Sequence, residues 1–162
     1  MKKLYLSMLL IVALLAFPTT ALADSGLEFN ATLTGDQEVP PVATAMRGNV
    51  DIEVENGRLR FALRVRNNTN DIFAAHIHCG PPGVAGPVGV TLFSGSFTAE
   101  RGLLVRGKTT APNAGNACGW ASIDDVVAAM QSGNAYVNVH TTAASDGFPS
   151  GEIRGNLSPG DD

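Results

Sequence analysis

The sequence predicts an all-β domain, either a β-sandwich or a partly closed barrel of antiparallel strands, with one short helix. Three observations carry that prediction. Short runs of alternating apolar and polar residues recur along the chain, separated by turns rich in Gly, Pro and Asn. Two of these runs flank Asn56-Gly57, a dipeptide that suits a type I′ hairpin because both central residues must take positive φ. A single stretch, Ile123 to Gln131, has helical spacing with a cap signal at each end.

At the N-terminus, Met1-Lys2-Lys3 precedes an apolar run from Leu4 to Phe17 and the small residues Ala21 and Ala23. A basic start, an apolar core shorter than the about 20 residues of a membrane span, and small residues ahead of Asp24 predict a Sec-type signal peptide over 1–23. The remainder, 24–162, is long enough for one domain with a real core. No cysteine stands at the predicted cleavage point and no later stretch is apolar enough to span a membrane. The product is therefore expected to be exported, periplasmic or extracellular, without an anchor.

Leu27 to Leu33 alternates and opens the domain as a strand. Pro40-Pro41 then stops it, since consecutive prolines remove two backbone donors. Glu38 beside them is read as a surface charge in preference to a ligand. Val50, Ile52 and Val54, then Leu59, Phe61, Leu63 and Val65, supply the apolar faces of the two hairpin arms. A two-residue turn sets their register: Val54 opposite Leu59, Ile52 opposite Phe61 and Val50 opposite Leu63 on the core face. The same register places Glu55 opposite Arg58 and Glu53 opposite Arg60 on the wet face. Acidic and basic arms cancel there, so the stripe is a solvated face and not a polyanion site.

Further strands are expected over Ile72 to His78, Val88 to Phe93, Leu103 to Thr109, Tyr136 to His140 and Gly151 to Leu157. The Gly/Pro-rich segment from Gly80 to Pro87 is a loop at one end of the sheet. In the helix, Ser122 is a good N-cap, Asp124 and Asp125 sit where the helix dipole favours acids, and Gly133 is placed to end it. Val126, Val127 and Met130 form a stripe for core packing.

The formal net charge is -4, and loss of Lys2 and Lys3 with the signal peptide makes the product more acidic. That argues against nucleic acid and anionic membranes as partners. Cys79 and Cys118 are the only cysteines, and in an oxidising compartment they are expected to form a disulfide. Serines and carboxylates are present without a nucleophile elbow, phosphate loop or paired-acid signature around them, so no catalytic residue is assigned.

All three histidines lie on predicted strands. His76 and His78 are two apart and so share a face, while His140 shares its face with Tyr136 and Asn138. If the two strands are neighbours, every imidazole of the protein converges. Neutral imidazole suits copper or zinc, and three protein ligands leave an open coordination position. The expected alternative role of His76, His78 and His140 is as polar scaffold residues; Asp146 or Glu152 is a candidate fourth ligand.

Glu38-Val39-Pro40-Pro41, His76-Ile77-His78 with Gly80, Tyr136-Val137-Asn138-Val139-His140-Thr141 and Gly151-Glu152-Ile153-Arg154-Gly155, in that order and spacing, resemble the CHRD domain family. The resemblance spans nearly the whole mature chain. It implies an extracellular immunoglobulin-like antiparallel β-sandwich. It implies no activity, and the growth-factor partners of the multidomain members do not carry over to one domain lacking their cysteine-rich modules. The expected function is a non-catalytic binding or structural module with a protein or cell-envelope ligand, and the alternative is a mononuclear copper- or zinc-binding protein.

Overall fold

The computed structural model describes residues 26–160, so the expected signal peptide over 1–23 and its cleavage point lie outside the described residues. Turn chemistry organises the first half of the sheet. Asn56 and Gly57 take φ of 50° and 70°, the pair of left-handed residues that a type I′ turn requires. They join β2 (Arg47–Glu55) to β3 (Arg58–Arg66) in the expected register, with Val54 opposite Leu59, Ile52 opposite Phe61 and Val50 opposite Leu63. On the wet face the charges pair diagonally and not straight across: Arg60 reaches Glu55 at 3.2 Å and Arg64 reaches Asp51 at 3.2 Å. Strand twist brings diagonal neighbours within reach of long side chains. These exposed pairs contribute only about 0.2 to 1 kcal/mol each.

β1 (Leu27–Thr34) runs antiparallel along the other side of β2, and Phe29 and Ala31 meet Ile52 and Val50. The remaining strands are β4 (Ile72–Cys79), β5 (Val88–Phe97), β6 (Gly102–Thr109), β7 (Ala135–Thr141), β8 (Ile153–Asn156) and the short β9 (Ser158–Pro159). They form one antiparallel sheet in the order β5-β4-β7-β8-β1-β2-β3-β6, with β9 paired to β1. The two ends of this path, β5 and β6, approach each other, so the all-β fold is a single sheet coiled nearly into a barrel. Register shifts recur along the β4–β5 ladder and between β3 and β6. Such irregularities let strands bend.

The barrel interior holds Leu33, Leu59, Leu63, Ile77, Val137 and Ile153, all fully buried. α1 (Ile123–Gln131) adds Ile123, Val126, Val127 and Met130 to that core. Its start is a capping box in which Ser122 and Asp125 satisfy each other's backbone N–H.

β7 departs from a half-wet strand, since all seven of its residues are buried. Its valines face the core as the alternation predicts. The opposite face, carrying Tyr136, Asn138 and His140, is covered by loops, and that cover makes the candidate site.

Cys79, the last residue of β4, is bonded to Cys118 in the loop ahead of α1, with Cα atoms 5.8 Å apart across 39 residues of sequence. Closing a loop of that length stabilises the fold by at most about 4 kcal/mol in the chain-entropy model. Replacing both cysteines by serine is expected to lower the melting temperature under non-reducing conditions; an unchanged melting temperature would contradict a stabilising disulfide. The hairpin facing is checked by urea unfolding. Ile52→Asp places a charge at a buried position and is expected to cost about 3 kcal/mol or more, whereas Glu53→Ala on the exposed face changes stability by less than about 0.5 kcal/mol. Equal tolerance of the two would show that the facing is wrong.

Candidate metal centre

β4 and β7 are neighbours in the sheet, the arrangement on which convergence of the histidines depended. Along their ladder Ala74 stands opposite His140, His76 opposite Asn138 and His78 opposite Tyr136. Since Ile77, Val137 and Val139 point into the barrel, the three imidazoles share its outer face. Their ring centroids are 5.0 Å apart for His76 and His140, 5.7 Å for His76 and His78, and 5.6 Å for His78 and His140. One nitrogen from each ring lies within 4.8 Å of one from each of the others.

Hydrogen bonding fixes the state of two rings. Nδ1–H of His78 donates to the Gly86 carbonyl at 2.9 Å, and Nδ1–H of His140 donates to the Pro149 carbonyl at 3.0 Å. A carbonyl only accepts, so the proton is assigned to Nδ1 and the lone pair to Nε2 in both. Nε2 of His78, Nε2 of His140 and Nδ1 of His76 are buried and have no hydrogen-bond partner. Each such nitrogen carries a desolvation cost of about 1–3 kcal/mol when nothing meets it.

Burial keeps the rings uncharged. Desolvation holds His76 and His78 down to about 4, with mutual repulsion among the histidines adding to it and the Arg154 charge acting further on His78. Desolvation also lowers His140. All three are neutral at neutral pH, which is the form that ligates a metal.

The cover over this face comes from residues whose part was not legible in the sequence. Between β4 and β5 the chain folds back over β4: Gly86 lies so close to the Cys79 carbonyl that a Cβ there would overlap it. Gly86 N–H donates to Tyr136 Oη at 3.0 Å. Tyr136 stacks on His78 at 5.0 Å and carries the Arg154 guanidinium 3.5 Å above its ring. Arg154 also donates to the Val84 and Pro81 carbonyls at 2.9 and 2.8 Å, which ties the same loop to β8.

Of the carboxylates considered as ligands, Glu152 is not part of the cluster. It is fully buried and accepts from Thr44 Oγ1, Thr141 Oγ1 and Asn70 Nδ2 at 2.7, 2.7 and 3.0 Å, so both oxygens are engaged. Asp146 is exposed after the 3-10 turn Ala143–Ser145 and is not gathered with the histidines. Glu38 corrects the surface-charge expectation: it is 7% exposed and accepts from Asn138 Nδ2 at 3.3 Å. Desolvation pushes its carboxyl up to about 7, partly offset by Arg154. Asn138 faces His76, so its place on the histidine face was readable from alternation, while Glu38 caps the 3-10 turn Gly35–Gln37 after β1 and gave no periodic signal.

The CHRD domain family model matches residues 29–157, a span that includes every residue of the site. The chain belongs to the CHRD domain family. No curated protein and no solved structure matches it. No described helix of this CHRD domain is long and apolar enough to cross a membrane.

The buried groups set a pH signature for the metal-free protein. The unfolded chain protonates its histidines near 6.5, whereas the folded one protonates His76 and His78 only near 4 and holds His140 below its ordinary value, so stability is lost as pH falls from 6.5 toward 4. Glu38 has the opposite sign: its folded value of about 7 exceeds the ordinary 4.5 of a free carboxyl, so its contribution is present below 4.5 and lost as pH rises from there to 7. Three imidazoles outweigh one carboxyl, so urea midpoints are expected to climb from pH 4 to about 7 and then level off. In Glu38→Gln the climb between pH 4.5 and 7 is expected to steepen, because the opposing carboxyl is gone; an unchanged slope would show that Glu38 does not titrate in that window.

Proposed function

We propose that this CHRD domain is an exported, non-catalytic binding module of the cell envelope or extracellular space whose ligand is one copper or zinc ion held by His76, His78 and His140. The observation that carries the reading is the convergence of three imidazoles, each with one buried nitrogen lacking a partner. Imidazole nitrogen suits both metals. Backbone carbonyls on the far nitrogens of His78 and His140 supply the outer support that orients ligating histidines. A scaffold role accounts for one hydrogen bond on each of these two rings and leaves the second nitrogen as a buried cost. Three protein ligands leave a further coordination position, and His76, the half-buried member, lies on the side toward solvent. The disulfide supports an oxidising compartment outside the cytosol.

The test is metal content by elemental mass spectrometry on the native protein prepared without a histidine tag, beside a variant with His76, His78 and His140 all changed to alanine. About one copper or zinc ion per chain, lost in a variant that keeps its circular dichroism spectrum, is expected. A native protein free of metal that takes up neither ion on titration would leave the histidines as scaffold.

A further inference from the structure

The ligand set at this centre is neutral throughout, and the nearest charge, the Arg154 guanidinium over the Tyr136 ring, is positive. The gathered cluster contains three histidines and no carboxylate. Glu152 is committed to Thr44, Asn70 and Thr141 on another part of the face. The charge that acts on His78 is that of a cation, Arg154. Arg154 takes part in no ion pair among the described residues; its hydrogen bonds go to the carbonyls of Pro81 and Val84 and to Asn156 Oδ1. Glu38 is the carboxyl that faces Arg154, so any negative charge it gains offsets that guanidinium first.

His78 and His140 are each 7% exposed, which makes the centre a poorly solvated place for net charge. The cost of burying an ion grows with the square of its charge, so a divalent ion bears about four times the desolvation of a monovalent ion of similar size. Neutral ligands return part of that difference through their dipoles but supply no opposite charge, and Arg154 adds to the cost.

We infer that the histidine centre selects the cuprous ion, holding Cu(I) on three neutral imidazoles in preference to Cu(II) or Zn(II). This rests on the reading of the three histidines as metal ligands. The chemical class of the cargo is then a monovalent soft cation, and a divalent ion enters the site well only with an anion from solution in the fourth position.

Competition titrations of the untagged protein decide the matter. Cu(I) is titrated anaerobically against bicinchoninate under ascorbate, and Cu(II) and Zn(II) are titrated against nitrilotriacetate. Cu(I) is expected to bind at least about 100-fold more tightly than Cu(II), which raises the potential of the bound copper by about 120 mV over the aqueous couple. Cu(II) held as tightly as Cu(I), or zinc held tightly with Cu(I) weak, overturns the inference while the metal reading stands. Failure of all three ions to bind removes both. A second variant probes the cause: Ala74 faces His140 across the ladder, and Ala74→Asp supplies the missing negative charge. In the folded variant the Cu(I) to Cu(II) ratio is expected to narrow at least tenfold, and an unchanged ratio would show that charge is not the determinant; if the variant does not fold, the ratio in the unaltered protein decides.

Discussion

The peptide of Gly86 is the contact on which the histidine face depends. Its carbonyl accepts a hydrogen bond from His78 Nδ1–H and its N–H donates to Tyr136 Oη. Without that peptide in place, His78 would be free to rotate and the face would be open to water. Its position is over-determined. The close approach to Cys79 excludes any side chain at residue 86, the disulfide pins the end of β4 beside it, and Arg154 grips the loop at Pro81 and Val84.

Burial on the outside of a barrel is an unusual use of a strand's polar face. In an antiparallel sheet with one wet side, Asn138 and His140 would be satisfied by water at little cost. Here loops exclude water, so each polar group needs a protein partner or remains unpaired. Glu38 and Asn138 partner each other and still leave Glu38 Oε1 and Asn138 Oδ1 without a bond. The fold tolerates this because the interior core is extensive and independent of the face, with Leu33, Leu63, Ile77 and Val139 packed whether or not the histidines are engaged.

Two buried carboxylates show how the same residue type takes different roles in one fold. Glu152 is saturated by three side-chain donors and ties the segment before β2, the turn before β4 and β7 together. Glu38 has one side-chain donor, and desolvation raises its proton affinity against the opposing pull of the Arg154 charge. Membership in the CHRD domain family accounts for the order in which these residues occur along the chain, whereas their roles follow from which partners the sheet supplies.

What the sequence by itself determined is local. Period-two alternation, the Asn56-Gly57 turn and the Ser122 cap specify β2, β3, β7 and α1 closely, because side-chain direction and turn geometry depend on neighbours a few residues away. Alternation also placed His76 with His78, and His140 with Asn138 and Tyr136. The tertiary structure alone decided that β4 lies beside β7, that the sheet coils into one near-barrel, and that loops seal the histidine face. Those outcomes turn on contacts between residues far apart in the chain, such as Arg154 with Pro81 or Asn138 with Glu38. No periodic pattern encodes them, and for that reason Glu38 read as a surface charge, and Asp146 or Glu152 as a candidate fourth ligand, until the strands were placed.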